Sequence, residues 1–508
     1  SQVVGEFEFG PLSLDLRGRI PSIDEYEALH ELEEVPEAMI AEMLASEDFL
    51  WTVRNYHERH MLPNLTMGEL LPLQRLMRGS DTEVGEILRI PQMEQRFRGG
   101  RVPCLPQLQT EFDADGRPVP LYEGPVEGVA CRDGACRQEG YVEVAPYWAP
   151  NTTVKVCAMD AMAQPEGARG SCDDANAVAD AGCGCGPNLQ QCARTDRLAD
   201  TSDTTRRLYE GLLNEPFALI EAVVEADRPY FEVLTTDETY LNGPSTHYYR
   251  YMHPISPGLP ARANDLDPRL GDLPEIDLDD EGYRLHARGE AHSGILTTLA
   301  YLLRFNSNRG RAHQFYKEWL CQPFVAPAGS LPPTTDPCSA EPDLSQRCGC
   351  LACHTTLEPA AAHWGRWEHT QRFGYMGAET FPEEVDECAT CGTRAGNRCN
   401  SECQLYYVTS EQEDRGSRGM FSALEFLGEE EALAVSEGPA RIVQTNLSSG
   451  RLQRCAAQRM AEHLLKRPLS SAEVSDVLPA RVDGFMAAGE TFRHLYRMMI
   501  ASRGYRGE

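Results

Sequence analysis

Eighteen cysteines in a chain of 508 residues, gathered into local groups, limit what this sequence can become more than any other feature. A reducing cytosol keeps thiols apart, whereas clusters at this density read as cross-links of an exported protein. The expected location is periplasmic, outer-surface or extracellular. No leader precedes Ser1, which leaves signal or lipoprotein processing, and with it a lipid anchor, open. The sequence holds no uninterrupted apolar run of about 18 residues, so no transmembrane segment is expected. Lys plus Arg number 47 against 78 Asp plus Glu, a formal net charge of -31. A surface that negative repels phosphate backbones, which makes nucleic acid a poor partner.

Hydrophobic spacing predicts a mainly α fold made of helical modules. Pro21-Ser22 followed by Asp24 and Glu25 reads as a helix start, and Pro36 opens a second run with Met39, Ile40, Met43, Leu44, Phe49 and Leu50 on one face. His57 and His60, three apart near its end, either share a ligand or are surface histidines beside a helix C-terminus, and the second is favoured. Residues 1–98 form this N-terminal helical module. From 99 to 203 the texture turns to glycine, proline and eight cysteines, a loop-rich, cross-linked insertion in which EGYVEVAPYW and TTVKVCAMD read as short strands. FDADG within it starts like a calcium loop but lacks the later glutamate, which favours an ordinary turn. Residues 204–322 return to helices, over Thr204 to Asp227, Gly294 to Phe305 and His313 to Leu320. The span 323–445 opens on a connector with six prolines between Pro323 and Pro342 and ends in a cysteine-rich extension. Residues 446–508 form a C-terminal helical module.

Within the span 323–445, Cys350, Leu351, Ala352, Cys353 and His354 spell CxxCH, the pattern of covalent c-type haem attachment. Two thiols add to the vinyl groups and the adjacent imidazole reaches the iron, so one turn both staples the ring and ligates its metal. One such motif means one haem c per chain, with His354 as the proximal iron ligand. The alternative is a Cys350–Cys353 cross-link beside an incidental histidine. Trp364, Trp367, Phe373 and Tyr375 lie close enough in sequence to wall a porphyrin, although alone they would be core packing. Candidates for the distal position are His363, His369, His292 and Met376, and an open distal position stands beside them. Cys388, Cys391, Cys399 and Cys403 resemble a zinc set, but an oxidising location favours cross-links. Two cysteines on haem leave 16, enough for eight disulfides, and Cys348 should pair away from the haem cysteines.

Several segments together resemble the planctomycete-type cytochrome c-associated multi-domain family of exported CxxCH proteins. FGPLSLDLRGRIPSIDEYEALH with AEMLASEDFLWTVRNYHERHMLP is similar to its leucine-rich LDLRG element and acidic helix, and EPFALIEAVVEADRPYFEVLTTDETYLNG to its next module. Gly294, Ile295, Leu296 and Thr297 match its glycine-branched-Leu-Thr element. Cys350, Cys353, His354, Leu357, Glu358 and Pro359 match its CxxCH and following isoleucine-Asp-Pro turn, while Trp367 and Glu368 match an aromatic followed by an aspartate. RCAAQRMAEHLLKRPLSSAEV with GETFRHLYRMMIASRGY resembles its C-terminal helices. Ala361 stands where the family has glycine, and His363 where it has a small or apolar residue. The resemblance implies an exported haem c protein and names no substrate.

The expected function is electron transfer through one covalently held haem, to or from a redox partner protein, with other cytochromes among the candidate partners and the acidic surface meeting a basic partner. A haem-dependent oxidoreductase with an open distal iron, such as a peroxidase or oxygenase, is the alternative. A structural or interaction subunit of a larger cytochrome assembly is the third reading. GxSxG, HExxH, phosphate-loop and dinucleotide patterns are all missing from the sequence, so catalytic residues are unknown.

Overall fold

A computed structural model describes residues 4–29, 35–61, 75–91, 98–114, 116–162, 184–195, 204–252, 273–289, 291–325, 333, 335–369, 374–392, 397–410 and 418–501. About half the chain is helical. The N-terminal helices are α1 (Val4–Arg17), α2 (Ile23–Leu29), α3 (Glu37–Leu44) and α4 (Glu47–Met61). Ser22 and Glu25 close α2 as a reciprocal cap: the Ser22 amide donates to Oε2 of Glu25 at 2.7 Å, and the Glu25 amide to Oγ of Ser22 at 3.3 Å. The second predicted run is broken in two at Ala45 and Ser46.

Residues 76–89, assigned from sequence to the helical module, form a β-hairpin instead. Its strands β1 (Leu76–Thr82) and β2 (Gly85–Arg89) pair antiparallel from Arg78 opposite Arg89 to Thr82 opposite Gly85. Gly85 has φ +96° there, a turn conformation that costs a Cβ-bearing residue energy. The hairpin is captured by the cysteine-rich segment, whose strands are β3 (Tyr122–Gly124), β4 (Cys136–Gln138), β5 (Tyr141–Val144), β6 (Val154–Cys157) and β7 (Ala193–Arg194). A five-stranded sheet results, in the order β5-β6-β2-β1-β7. Met77, Leu88, Ile90 and Val156 fill its core, and the cystines Cys104–Cys157 and Cys185–Cys192 fasten it. Around FDADG, whose Asp115 lies outside the described residues, the Asp113 carboxylate accepts from the Arg117 amide at 2.8 Å and the Asp113 carbonyl from the Gly116 amide at 3.0 Å.

The long helix α5 (Thr204–Glu225) is followed by α6 (Leu299–Arg304), α7 (Asn308–Trp319), α8 (Leu351–Ala362), α9 (Glu429–Ser448), α10 (Arg451–Leu465), α11 (Leu478–Ala487) and α12 (Phe492–Ile500). One hydrophobic core runs through Phe9 of α1, Phe49 and Val53 of α4, Leu208 to Val224 of α5, Phe315 of α7, Leu357 of α8, Met460 of α10 and Tyr496 of α12. A second, smaller core holds Met376, Phe381, Tyr406, Phe421 and Val435. Helix α8 touches both: Leu357, Ala360 and Ala361 face the first, and Ala362 faces the second. It packs between α7 and α9.

Seven cystines occur among the described residues: Cys104–Cys157, Cys131–Cys136, Cys185–Cys192, Cys321–Cys455, Cys338–Cys348, Cys388–Cys403 and Cys391–Cys399. The four cysteines from 388 to 403 are thus cross-links, and Cys348 does pair away from CxxCH. Cys172 and Cys183 lie outside the described residues. The Cys321–Cys455 bond joins the end of α7 to α10 across 134 residues. Replacing both of its cysteines by serine should lower the unfolding free energy by about 2–4 kcal/mol, read from urea denaturation, because the cross-link restrains the unfolded chain.

Candidate functional site

Cys350 and Cys353 are the free cysteines among the described residues, and both are half-buried. Their freedom is prepared one turn earlier. Cys348 is tied back to Cys338, and Gly349 follows with φ +78°, so the chain reverses direction before Cys350 begins the helix. The amides of Cys350 and Leu351 both donate to the Arg347 carbonyl at 3.0 Å, which starts α8 from that turn.

His354 is one turn into α8, and its Nδ1 donates to the Glu358 carboxylate on the next turn. In the neutral ring that bond puts the proton on Nδ1 and leaves Nε2 with its lone pair. Arg309 of α7 grips the same carboxylate, with Nε at 2.7 Å from the Oε1 that His354 also bonds and an Nη at 3.0 Å from Oε2. The Cys353 thiol lies 3.6 Å from the Val325 carbonyl. Apolar Val325 and Leu351 are 73% and 45% exposed beside the two thiols. Two free thiols, an imidazole with an available nitrogen and bare apolar surface form a donor set that fits a covalently attached haem.

A cavity of about 740 Å³ opens along the next turns of the same helix, with Thr355, Glu358 and Pro359 on one wall and His369, Met376 and Phe421 among the others. The CxxCH residues do not line it, and it meets the site through Glu358. His369 and Met376 come from one doubled-back segment, in which the Met376 amide donates to the Arg366 carbonyl at 2.7 Å and the Glu368 amide to the Gly374 carbonyl at 2.9 Å. Buried Arg311 fixes this segment by donating to the carbonyls of Trp367 and Glu368 at 3.1 and 2.9 Å. Burial pulls the His369 pKa down, and its Nδ1 has no hydrogen-bond partner among the described residues.

The other two distal candidates are engaged elsewhere. His363 caps α8 at its C-terminus, and its Nδ1 donates to the Gly438 carbonyl at 2.9 Å, at the kink of α9. His292 is enclosed in the protein interior, its Nδ1 2.8 Å from Oγ1 of Thr297. The aromatic wall expected from sequence is core instead: Trp364 and Trp367 are fully buried in the main core, and Tyr375 packs on Trp367 with ring centroids 5.2 Å apart. Phe373 lies outside the described residues. In the sequence Glu358 stands out only within a family-like turn, although the i, i+4 spacing from His354 already places the two on one helix face.

His57 and His60 are not the surface pair favoured from sequence, and their rings bond different partners. His57 is buried, with Nδ1 donating to the Val53 carbonyl at 2.7 Å and Nε2 accepting from the Tyr230 hydroxyl at 2.9 Å. His60 pairs through Nδ1 with Glu318 at 3.1 Å. Cys104, Cys157 and Glu139 come within metal-ligand range of one another, but the two sulfurs form a cystine and Glu139 is paired with Arg98. A cystine offers no thiolate to a metal.

No known family model, curated protein or solved structure matches this chain.

Burial pushes the pKa of His57 down to about 3 and those of His247 and His363 down to about 4. The unfolded chain takes up a proton at each near pH about 6.5, whereas the folded protein does not. Their contribution to stability is complete above that pH and is lost as pH falls towards 4. Urea midpoints should decline over this interval, and H57Q should flatten the decline by about one proton taken up per molecule unfolded.

Proposed function

We propose that this protein is an exported c-type cytochrome that carries one haem, bound through Cys350 and Cys353 with His354 as proximal ligand, and exchanges electrons with a partner protein. The observation that carries the reading is selective oxidation. All 14 other described cysteines are in cystines, while the two of CxxCH remain free next to a histidine with an available Nε2. Seven cystines also support an oxidising compartment, the kind in which thioether attachment of haem takes place. Among the described residues no helix is long and apolar enough to cross a membrane. The likeness of the CxxCH segment and its flanking helices to planctomycete-type cytochrome-associated proteins points the same way.

When bound, the haem supplies a one-electron redox centre. The chain's own residues do the rest. Cys350 and Cys353 hold the ring to α8, His354 presents Nε2 to the metal, and Leu351 and Val325 give it apolar surface. Helices α7 and α9 keep α8 from shifting. The excess of 78 acidic over 47 basic side chains suits a basic partner, and such complementarity acts mainly on the rate of encounter.

The cavity beside Glu358 favours a second reading, a haem oxidoreductase whose substrate enters there. Pyridine haemochrome analysis of the native protein should give one haem c per chain, and Cys350→Ala with Cys353→Ala should abolish covalent haem. Carbon monoxide should leave the reduced spectrum unchanged for an electron carrier ligated on both faces, and rapid binding would select the oxidoreductase. Native protein without haem would end both readings.

A further inference from the structure

We infer that Glu358, clamped by Arg309, is a positioning residue that sets the reduction potential of the haem by drawing on the far side of the His354 ring; the inference rests on the haem reading of this site. The carboxylate accepts from Nδ1 of His354 and is itself held by two Arg309 nitrogens at 2.7 and 3.0 Å, a bidentate pairing that orients it. A histidine whose Nδ1 proton is pulled towards a carboxylate has a more basic Nε2 and is a stronger donor to a metal. The oxidised iron carries one more positive charge than the reduced iron, so a stronger donor stabilises the oxidised form more and lowers the potential.

The local architecture makes this a built arrangement. His354 and Glu358 are four residues apart on α8, which puts them on the same face, and Arg309 reaches across from the first turn of α7, the helix packed against it. Ser307 caps that first turn by accepting from the Gly310 amide at 3.0 Å, which fixes the start of α7 from which Arg309 projects. Arg309 also tempers the effect. Two hydrogen bonds from a cation withdraw charge from the carboxylate, so the strength of its pull on His354 depends on this guanidinium. The carboxylate and the guanidinium therefore work in opposite directions, and removing each should move the potential in opposite senses.

The test is spectroelectrochemical titration of the haem-loaded protein and of E358Q, R309Q and E431Q, with haem content measured in parallel. Glu431 lines the same cavity but has no bond to His354, so it reports the generic effect of losing a carboxylate nearby. E358Q should keep one haem per chain and shift the redox equilibrium about tenfold towards the reduced form, which is about 59 mV upward for one electron. R309Q should shift it several-fold the other way, and E431Q should stay within about twofold of the parent protein. An unmoved potential in haem-replete E358Q overturns the inference, and so does an equal rise in E431Q. If E358Q takes up no haem, R309Q decides, and a potential unmoved or raised there overturns the inference. A parent protein without haem overturns instead the reading on which it rests.

Discussion

The Cys338–Cys348 cystine and the glycine after it govern the site, because they decide which thiols near residue 350 stay free. Four cysteines fall between residues 338 and 353, and among them six pairings of two are open to the chain on paper. The cross-link to Cys338 takes Cys348 out of competition. Gly349, in a left-handed conformation that a Cβ would disfavour, turns Cys350 away from Cys348 and onto the helix. The next thiol, Cys353, follows at one helical turn. What remains is a pair of thiols presented from a rigid first turn, with the imidazole of His354 next in line.

Rigidity farther down α8 comes from packing on two sides. Leu357, Ala360 and Ala361 press into the large core and Ala362 into the small one, so small side chains let α7 and α9 approach closely. His363 then ties the end of α8 to the kink of α9. Pro359 lacks the N–H that would have bonded Thr355, yet the helix continues through it, supported by these neighbours. The cavity wall carrying His369 and Met376 is fixed in turn by Arg311, a buried guanidinium whose pKa burial lowers to about 9 and which holds backbone carbonyls from both ends of its fork.

The helices with clean apolar periodicity were legible in the sequence. Ser22 with Glu25 marked a start that is present, and Pro229 follows shortly after the last turn of α5. The short strands at Tyr141 and Val154 were legible from β-branched alternation. The hairpin at 76–89 was not, since its strands carry Arg78, Ser80, Asp81 and Glu86 and, besides each other, pair with the distant β6 and β7. Helix α9 spans the boundary expected at residue 445 and contains Gly438 and Pro439. In the fold they make a kink, with φ +69° at the glycine and the helix resuming at the proline. CxxCH was visible as a pattern, but the fate of the histidines depended on tertiary neighbours. Nothing local distinguishes His292 and His363, held by Thr297 and Gly438, from His369 at a cavity wall. The engagement of His57 by Tyr230, 173 residues away, was equally out of reach.

Covalent haem depends on the chemical state of two sulfurs, and mass analysis reads that state directly. Protein isolated from an oxidising compartment, digested without reduction and examined at the peptide spanning Cys350 to His354, should show one haem adduct joined through both cysteines. A peptide two hydrogens lighter than its sequence mass, with Cys350 and Cys353 bonded to each other and no adduct, would contradict the account.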